Sequence, residues 1–203
     1  MKTAKSSDHP VAIPTTFKGI EFKSRLEAQT AFLFETFGIA WEYEPTSVML
    51  SNGICYTPDF HLPNQRSVVE CRGYDSEKGQ KQIEGFVKAL RADTLKYKSG
   101  HSVSRFFVIA GDHRSRVYRG WDDEDENHEG ILLQRCCYCG EWSLGDFDNY
   151  GCGTSKCGVS PCCLSAVLSL TVEKGKLLLN GLGSEGWANE NNRICSALPK
   201  IPK

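Results

Sequence analysis

Two carboxylates near the middle of the chain are placed for metal-dependent chemistry. Asp59 and Glu70 lie near the ends of two consecutive strand candidates, where hairpin-like pairing brings both side chains to one point. Side chains alternate along a strand, so Glu70 and Arg72 share a face while Cys71 points to the other. Phosphodiester hydrolysis needs a hard cation to polarise a phosphoryl oxygen, and Mg²⁺ is typically bound by one or two carboxylates. The pattern therefore predicts a phosphoryl-transfer site.

Four short runs of sequence surround these residues. They are FKSRLE (22–27), GIAWEYE (38–44), YTPDF (56–60) followed by LPN (62–64), and VECRG (69–73). In this order they resemble the PD-(D/E)xK nucleases, and most of all the phage endonuclease I type of junction resolvase and related phage and transposon endonucleases. The resemblance covers roughly residues 17–110, about half of the chain.

The resemblance implies a Mg²⁺- or Mn²⁺-dependent endodeoxyribonuclease that acts on branched or phage DNA. Asp59 and Glu70 are then the metal ligands, and Glu27 is a further acid supplied by the first helix. Arg72 occupies the position of the usual lysine. A junction, a duplex and a single strand all remain open as the substrate.

Arginine at position 72 departs from the family pattern. It keeps the positive charge and can bind phosphate, but it cannot act as a base at ordinary pH. Lys78 or Lys81, just downstream, can supply an ammonium group instead. The substitution also leaves room for an alternative: a catalytically inactive nuclease-like module that binds DNA or protein, such as a zinc-stabilised adaptor that counters a host defence.

Each acidic residue also has a structural interpretation. Glu27 lies three residues after Ser24, which is the spacing of a helix capping box. Asp59 follows a proline and fits a turn. Glu70 lies in an apolar run, where an unpaired carboxylate is costly, so a partner is expected. His61 shares the strand face of Asp59 and either approaches the metal site or lies on the surface.

The second chemical feature is a group of seven cysteines within 28 residues, at positions 136, 137, 139, 152, 157, 162 and 163. In a reducing compartment such clusters are more often metal ligands than disulfides. Cys136 and Cys139, followed by a glycine, fit one zinc knuckle. Cys152 and Cys157 form a less regular second knuckle, for which Cys157 with Cys162 is the alternative. We therefore expect a structural Zn²⁺ held by Cys136, Cys139, Cys152 and Cys157, with disulfides or buried thiols as the competing interpretation.

Helices and strands must position these groups. Apolar spacing predicts a first helix from Ser24 to about Phe37, ended by Gly38, and a second from Lys81 to about Leu90. The strand candidates are residues 39–43, 48–50, 54–60, 67–71 and 105–110, with a hairpin over 168–179. This order predicts an α/β fold, in which a mixed β-sheet is flanked by helices and followed by a small zinc-ribbon-like C-terminal module.

Composition divides the chain into four parts. We expect a nuclease-like domain over residues 17–119, an acidic linker over 120–130, a zinc-ribbon-like module over 131–165, and a hairpin and tail over 166–203. The net charge is -1, but residues 1–119 carry 17 Lys or Arg against 13 Asp or Glu, about +4. That balance permits contact with the phosphates of DNA, the expected partner.

The chain shows no apolar run of about 18 residues and no apolar stretch of signal-peptide length near Met1. We therefore expect a cytoplasmic protein that does not contact membranes. Whether the cysteine-rich region contacts DNA, forms a homodimer or only stabilises the C-terminal half is left open.

Overall fold

The computed structural model describes residues 12–45, 47–50, 53–73, 76–92, 95, 102–111, 115–120, 128–146, 157, 164–173 and 176–181. These residues form a mixed α/β fold with two α-helices and several β-sheets, as the sequence predicted. No helix within these ranges is long and apolar enough to cross a membrane.

The helices are α1 (Arg25–Thr36) and α2 (Glu77–Arg91), with a short 3-10 turn at Pro63–Gln65. The strands of the first half are β1 (Thr15–Phe17), β2 (Ile20–Phe22), β3 (Glu42–Tyr43), β4 (Val48–Met49), β5 (Cys55–Tyr56), β6 (Phe60–Leu62), β7 (Ser67–Arg72) and β8 (Arg105–Ala110). Those of the second half are β9 (Arg116–Arg119), β10 (His128–Glu129), β11 (Ile131–Cys136), β12 (Trp142–Gly145), β13 (Leu164–Glu173) and β14 (Lys176–Gly181).

Helix α1 forms where the sequence predicted it because both of its ends carry clear signals. The Ser24 side chain accepts a hydrogen bond from the Glu27 N–H, which caps the first turn. At the other end Gly38 takes a positive φ of 65°, and the Ile39 N–H donates to the Phe34 carbonyl. This left-handed glycine ends the helix as expected.

Six strands form a mixed sheet in the order β10-β9-β8-β7-β6-β3. Strands β7 and β8 are parallel, and every other neighbouring pair is antiparallel. Parallel strands need a crossover connection, and α2 lies in the segment that makes it. Val69, Phe107 and Ile109 lie in the core that includes α1, while Val68 and Phe106 pack with α2. The helices therefore cover opposite faces of this sheet.

Helix α2 begins at Glu77, four residues before the expected start at Lys81. Ser76 caps it by accepting from the Gly79 N–H at 3.0 Å. Glycine has a low helix propensity, so Gly79 makes the first turn of α2 hard to predict from the sequence. The glycine has a packing role, since a Cβ there would lie 3.0 Å from both Arg72 Nη1 and Ser76 Oγ.

Strands β11 to β14 form a four-stranded antiparallel sheet in the order β12-β11-β13-β14. Leu133, Leu144 and Leu170 of this sheet are buried in the same core as Leu33 and Phe34 of α1. Helix α1 is thus packed between two sheets. The expected division between residues 131–165 and 166–203 falls inside β13, and β10 extends from the expected linker 120–130 to pair with β9.

Polar contacts connect this second sheet to the first half of the chain. Arg119 of β9 and Asp146, just after β12, form a buried ion pair. The Leu144 N–H donates to Gln65 Oε1 at 3.0 Å, and the Leu177 N–H donates to Gln29 Oε1 at 3.1 Å. These bonds satisfy buried groups and fix the orientation of the two sheets.

Candidate functional site

Asp59 and Glu70 are neighbours where β6 begins beside β7, at the end of this strand pair that lies opposite the connecting turn. Phe60 pairs with Val69 in antiparallel register, so Asp59 and Glu70 are adjacent one position further along the two strands. Asp59 is 9% exposed and Glu70 is 6% exposed. The Cys71 N–H donates to Asp59 Oδ2 at 2.7 Å. The sheet therefore brings together the two acids that the sequence singled out and places both in a nearly dry environment.

Glu70 is held by a phenol and a guanidinium. The Tyr56 hydroxyl donates to Glu70 Oε2, and Arg72 Nη2 lies 2.7 Å from Glu70 Oε1. The sequence predicted a partner for Glu70 because its surroundings are apolar. Tyr56 and Arg72 are the two partners found. Tyr56 lies in the YTPDF run, but its position in a strand does not reveal which way its hydroxyl points. Its contact with Glu70 was therefore not predicted from the sequence.

Burial and mutual repulsion keep these carboxyls from ionising easily. Burial raises the pKa of Asp59 well above its ordinary value, and the charges of Glu70 and Glu27 raise it further. Burial likewise raises the pKa of Glu70, although Arg72 and the Tyr56 hydroxyl oppose the shift. A pair of buried acids with raised pKa values is a common property of functional sites, and a divalent cation relieves the repulsion between them.

Arg72 connects the acids to helix α2. Its Nη2 also lies 3.4 Å from Gln82 Oε1, within hydrogen-bonding distance, and its Nη1 lies against Gly79. Arg72 Nε is buried with no hydrogen-bond partner within the described ranges. The charge of Glu70 raises the pKa of Arg72, against the lowering effect of burial, so the guanidinium stays positive. Position 72 therefore carries a fixed cation beside the two carboxylates.

Glu27 serves the cap of α1. Its carboxylate accepts from the Lys23 N–H at 3.1 Å, from the Ser24 hydroxyl at 2.7 Å and from the Tyr43 hydroxyl at 2.6 Å. These local bonds are those of a capping interaction with an added phenol. Glu27 is nevertheless close enough to raise the pKa values of Asp59 and Glu70 through its charge. It contributes negative potential to the site while its oxygens are used by the helix end.

His61 is buried rather than exposed. Its Nδ1 lies 3.3 Å from Glu42 Oε2, and burial lowers its pKa despite that carboxylate. The strand pairing places His61 opposite Val68, two positions along β6 from Asp59 and closer to the turn that connects β6 and β7. The surface interpretation of His61 is therefore wrong, and its role at the candidate site stays a prediction.

The donor set fits a small hard cation in chemistry, since Asp59 and Glu70 offer carboxylate oxygens from adjacent strands. In the part of the chain that the structure describes, the Glu27, Asp59 and Glu70 oxygens do not all approach within 4.8 Å of one another. Two carboxylates with waters and a substrate phosphate are sufficient for Mg²⁺. Asp59 and Glu70 thus form the minimal ligand pair.

The other cluster is made of thiols. The Sγ atoms of Cys136, Cys139 and Cys157 all lie within 4.8 Å of one another, so these residues can hold a metal such as zinc. Cys136 ends β11 and is buried, and Cys139 lies in the turn that leads to β12. Gly140 completes the turn with a φ of 71°, and its N–H donates to the Cys136 carbonyl at 3.0 Å.

Hydrogen bonds prepare Cys136 to be a thiolate. Burial opposes ionisation, but the backbone N–H groups of Cys139 and Tyr138 and the thiols of Cys157 and Cys139 lower the pKa of Cys136 to about 6. Backbone N–H groups aimed at a sulfur stabilise the anion that binds metals. This turn therefore brings Cys136 and Cys139 together in a group that could bind a metal, and the zinc knuckle stays a prediction.

The fourth thiolate ligand is expected from Cys152. Cys152, the predicted partner of Cys157, lies outside the described residues, as does Cys162. Cys137 is disulfide-bonded and supplies no thiolate. The fourth ligand therefore stays a prediction from the sequence.

In comparisons with known proteins, no family model matches this chain and no curated protein is significantly similar to it.

The buried acids give a stability prediction. In metal-free buffer at pH 8, Asp59→Asn should raise the melting temperature by about 2–4 °C, equivalent to roughly 1 kcal/mol. Asparagine keeps the acceptor for the Cys71 N–H and removes the buried charge. Because the folded pKa of Asp59 is raised, the free energy of unfolding falls as pH rises from the ordinary value through the folded value. Thermal melts should therefore show the two proteins converging at acidic pH.

Glu70→Gln is the contrasting variant for that experiment. It removes the counter-ion of Arg72 and leaves a half-buried guanidinium without its ion pair, so it should lower the melting temperature at pH 8. If Asp59→Asn is instead destabilising at pH 8 and at pH 5 alike, the Asp59 carboxylate is not under electrostatic strain, which contradicts the prediction.

Proposed function

We propose that the protein is a metal-dependent DNA endonuclease whose active site contains Asp59, Glu70 and Arg72. The observation that carries the proposal is the placement of Asp59 and Glu70 side by side and nearly buried, where β6 begins beside β7. Burial and the charges of Glu70 and Glu27 raise the pKa of Asp59, so the ionised pair is electrostatically disfavoured in the absence of a cation. Its chemistry matches the PD-(D/E)xK pattern that the sequence resembles.

The residues have separate roles in the proposed hydrolysis. Mg²⁺ or Mn²⁺, when bound, lowers the pKa of a water and polarises a phosphoryl oxygen. Asp59 and Glu70 supply carboxylate oxygens, and each must lose its proton before it can do so. Arg72 balances the charge of Glu70 and donates to a phosphate oxygen of the substrate. Glu27 adds negative potential that favours a cation, while it holds the start of α1.

A second function is supported by one observation, the ion pair between Arg72 and Glu70. A guanidinium bound to one of two metal ligands competes with the cation. On this alternative the scaffold is catalytically inactive and binds DNA or protein, with the zinc site stabilising it as an adaptor. Metal binding at Asp59 and Glu70 distinguishes the two functions.

We further propose that the thiol cluster holds a structural Zn²⁺ with four thiolate ligands. Cys136, Cys139 and Cys157 supply three, and Cys152 is the predicted fourth. A closed set of four thiolates leaves no open position for substrate, so the role of this site is to stabilise the fold. It fixes the turn between β11 and β12 to the segment that contains Cys157.

The proposed activity predicts the effect of removing either acid. Asp59→Ala and Glu70→Ala should each reduce cleavage roughly 100-fold or more, since even outer partners of metal ligands contribute about 10–100-fold. The assay uses four-way junction, duplex and single-stranded DNA with Mg²⁺ or Mn²⁺. Glu84→Ala, which removes an exposed acid of α2, is the matched control and should cut at the wild-type rate. Wild-type rates for Asp59→Ala at saturating metal would contradict the assignment.

Position 72 gives a separate prediction. Arg72→Lys should keep or raise the cleavage rate, because lysine retains the charge and is the residue usual in look-alike sequences. Arg72→Ala should lower the rate by about 100-fold, as expected when a group that stabilises developing charge is lost. Melting curves of both variants check the fold. An unchanged rate in Arg72→Ala would transfer the role to another cation, such as Lys78 or Lys81.

The zinc proposal predicts about one tightly bound Zn²⁺ per chain. Cys136→Ser, Cys139→Ser and Cys157→Ser should each lose most of the metal, whereas Cys55→Ser, at an exposed cysteine outside the cluster, should retain it. Elemental analysis gives the content, and Cys152→Ser tests the fourth position. A folded wild-type protein without zinc, isolated without chelator, would refute the site.

A further inference from the structure

A cleft of about 430 Å³ opens at the first two turns of α2. It is lined by Ile54, Glu77, Lys78, Lys81 and Gln82. Ile54 immediately precedes β5, and the other four residues belong to the helix. The cleft therefore lies between the hairpin formed by β4 and β5 and the first half of α2, and we call it the α2 cleft.

Both walls of the α2 cleft are connected to Glu70. On the helix side, Gln82 Oε1 lies 3.4 Å from Arg72 Nη2, which is itself 2.7 Å from Glu70 Oε1. On the hairpin side, Tyr56 follows Ile54 by two residues and its hydroxyl donates to Glu70. The cleft is thus connected to Glu70, a proposed metal ligand, in two ways: by the contacts of Gln82 with Arg72 and of Arg72 with Glu70, and by the short segment from Ile54 to Tyr56. The cleft lies beside the candidate active site.

The charges of the cleft favour an anion. Lys78 and Lys81 are exposed at the N-terminal end of α2, where the helix dipole disfavours cations. Lys81 has one compensating contact, with Glu77 at 2.8 Å, and both of these side chains are exposed. Within the described ranges Lys78 forms no ion pair. Two ammonium groups at the positive end of a helix add little to folding, whereas they suit a polyanion.

We propose that the α2 cleft binds the phosphodiester backbone of DNA next to the bond that is cut. This inference rests on the proposed nuclease function and extends it by assigning a path to the substrate. Lys78 and Lys81 contact successive phosphates, and Lys81 exchanges Glu77 for a phosphate oxygen. Gln82 and Ile54 contact the sugar edge. Contacts of this kind fix the register of the strand without reading its sequence.

The test is a binding measurement on the full chain with Ca²⁺ in place of Mg²⁺. The Lys78→Ala/Lys81→Ala variant should bind a labelled four-way junction at least ~10-fold more weakly at moderate salt, and the slope of log affinity against log salt should fall by about 1.8. Lys88→Ala/Lys176→Ala removes two exposed lysines elsewhere and should change the slope by less than half as much. Glu77→Gln should tighten binding, because it frees Lys81.

Single-turnover cleavage completes the test. At limiting DNA with Mg²⁺, the cleft variant should cut more slowly than the wild type in proportion to its lost affinity, whereas the Lys88→Ala/Lys176→Ala control should cut at the wild-type rate. If the wild type cuts DNA and the cleft variant matches the control variant in affinity and slope, the α2 cleft is not the binding path. If binding depends on the cleft but no DNA is cut with any metal, the cleft assignment holds and the nuclease proposal fails. If the wild type binds no DNA, both are overturned.

Discussion

The arrangement around Glu70 constrains the whole centre of this molecule. A carboxylate in an apolar strand is stable only with partners. Glu70 takes them from the Tyr56 hydroxyl of β5, from Arg72 of its own strand and from the backbone of Asp59. Each partner fixes its element relative to β7. The small hairpin of β4 and β5 is tied to the sheet through Tyr56, and α2 is tied to it through Arg72 and Gln82. The burial of Glu70 therefore accounts both for the electrostatic strain of the acids and for the positions of the surrounding elements.

Helix α1 has a comparable role for the rest of the fold. It begins at the capping interaction of Glu27, close to the acids, and its apolar residues are buried between the two sheets. Near its end Phe37 makes an edge contact with Trp142, the first residue of β12, which lies three residues after Cys139. One rigid element thus spans the distance between the acidic site and the thiol cluster. Anything that loosens the second sheet also removes packing from the helix that borders the first site.

Local signals predicted much of this structure. The cap at Ser24, the stop at Gly38 and the apolar run of β8 gave α1 and a central strand nearly at their observed bounds. The proximity of Asp59 and Glu70 followed from the expected hairpin-like pairing of two consecutive strands. What the sequence did not reveal depends on distant packing: Leu133 lies in the expected zinc-ribbon-like module, yet it is buried in the same core as the apolar residues of α1. Likewise the links of Tyr56 to Glu70 and of Gln82 to Arg72 join residues more than nine positions apart.

Gly79 leaves space for the side chains of Arg72 and Ser76. A Cβ at position 79 would lie 3.0 Å from Arg72 Nη1 and 3.0 Å from Ser76 Oγ, so glycine leaves space for both side chains despite its low helix propensity. Lysine has no planar fork and occupies less width at its end. Replacing Arg72 with lysine would therefore relieve one of the two close contacts and leave the other, so a larger residue at position 79 would still disturb the Ser76 cap of α2.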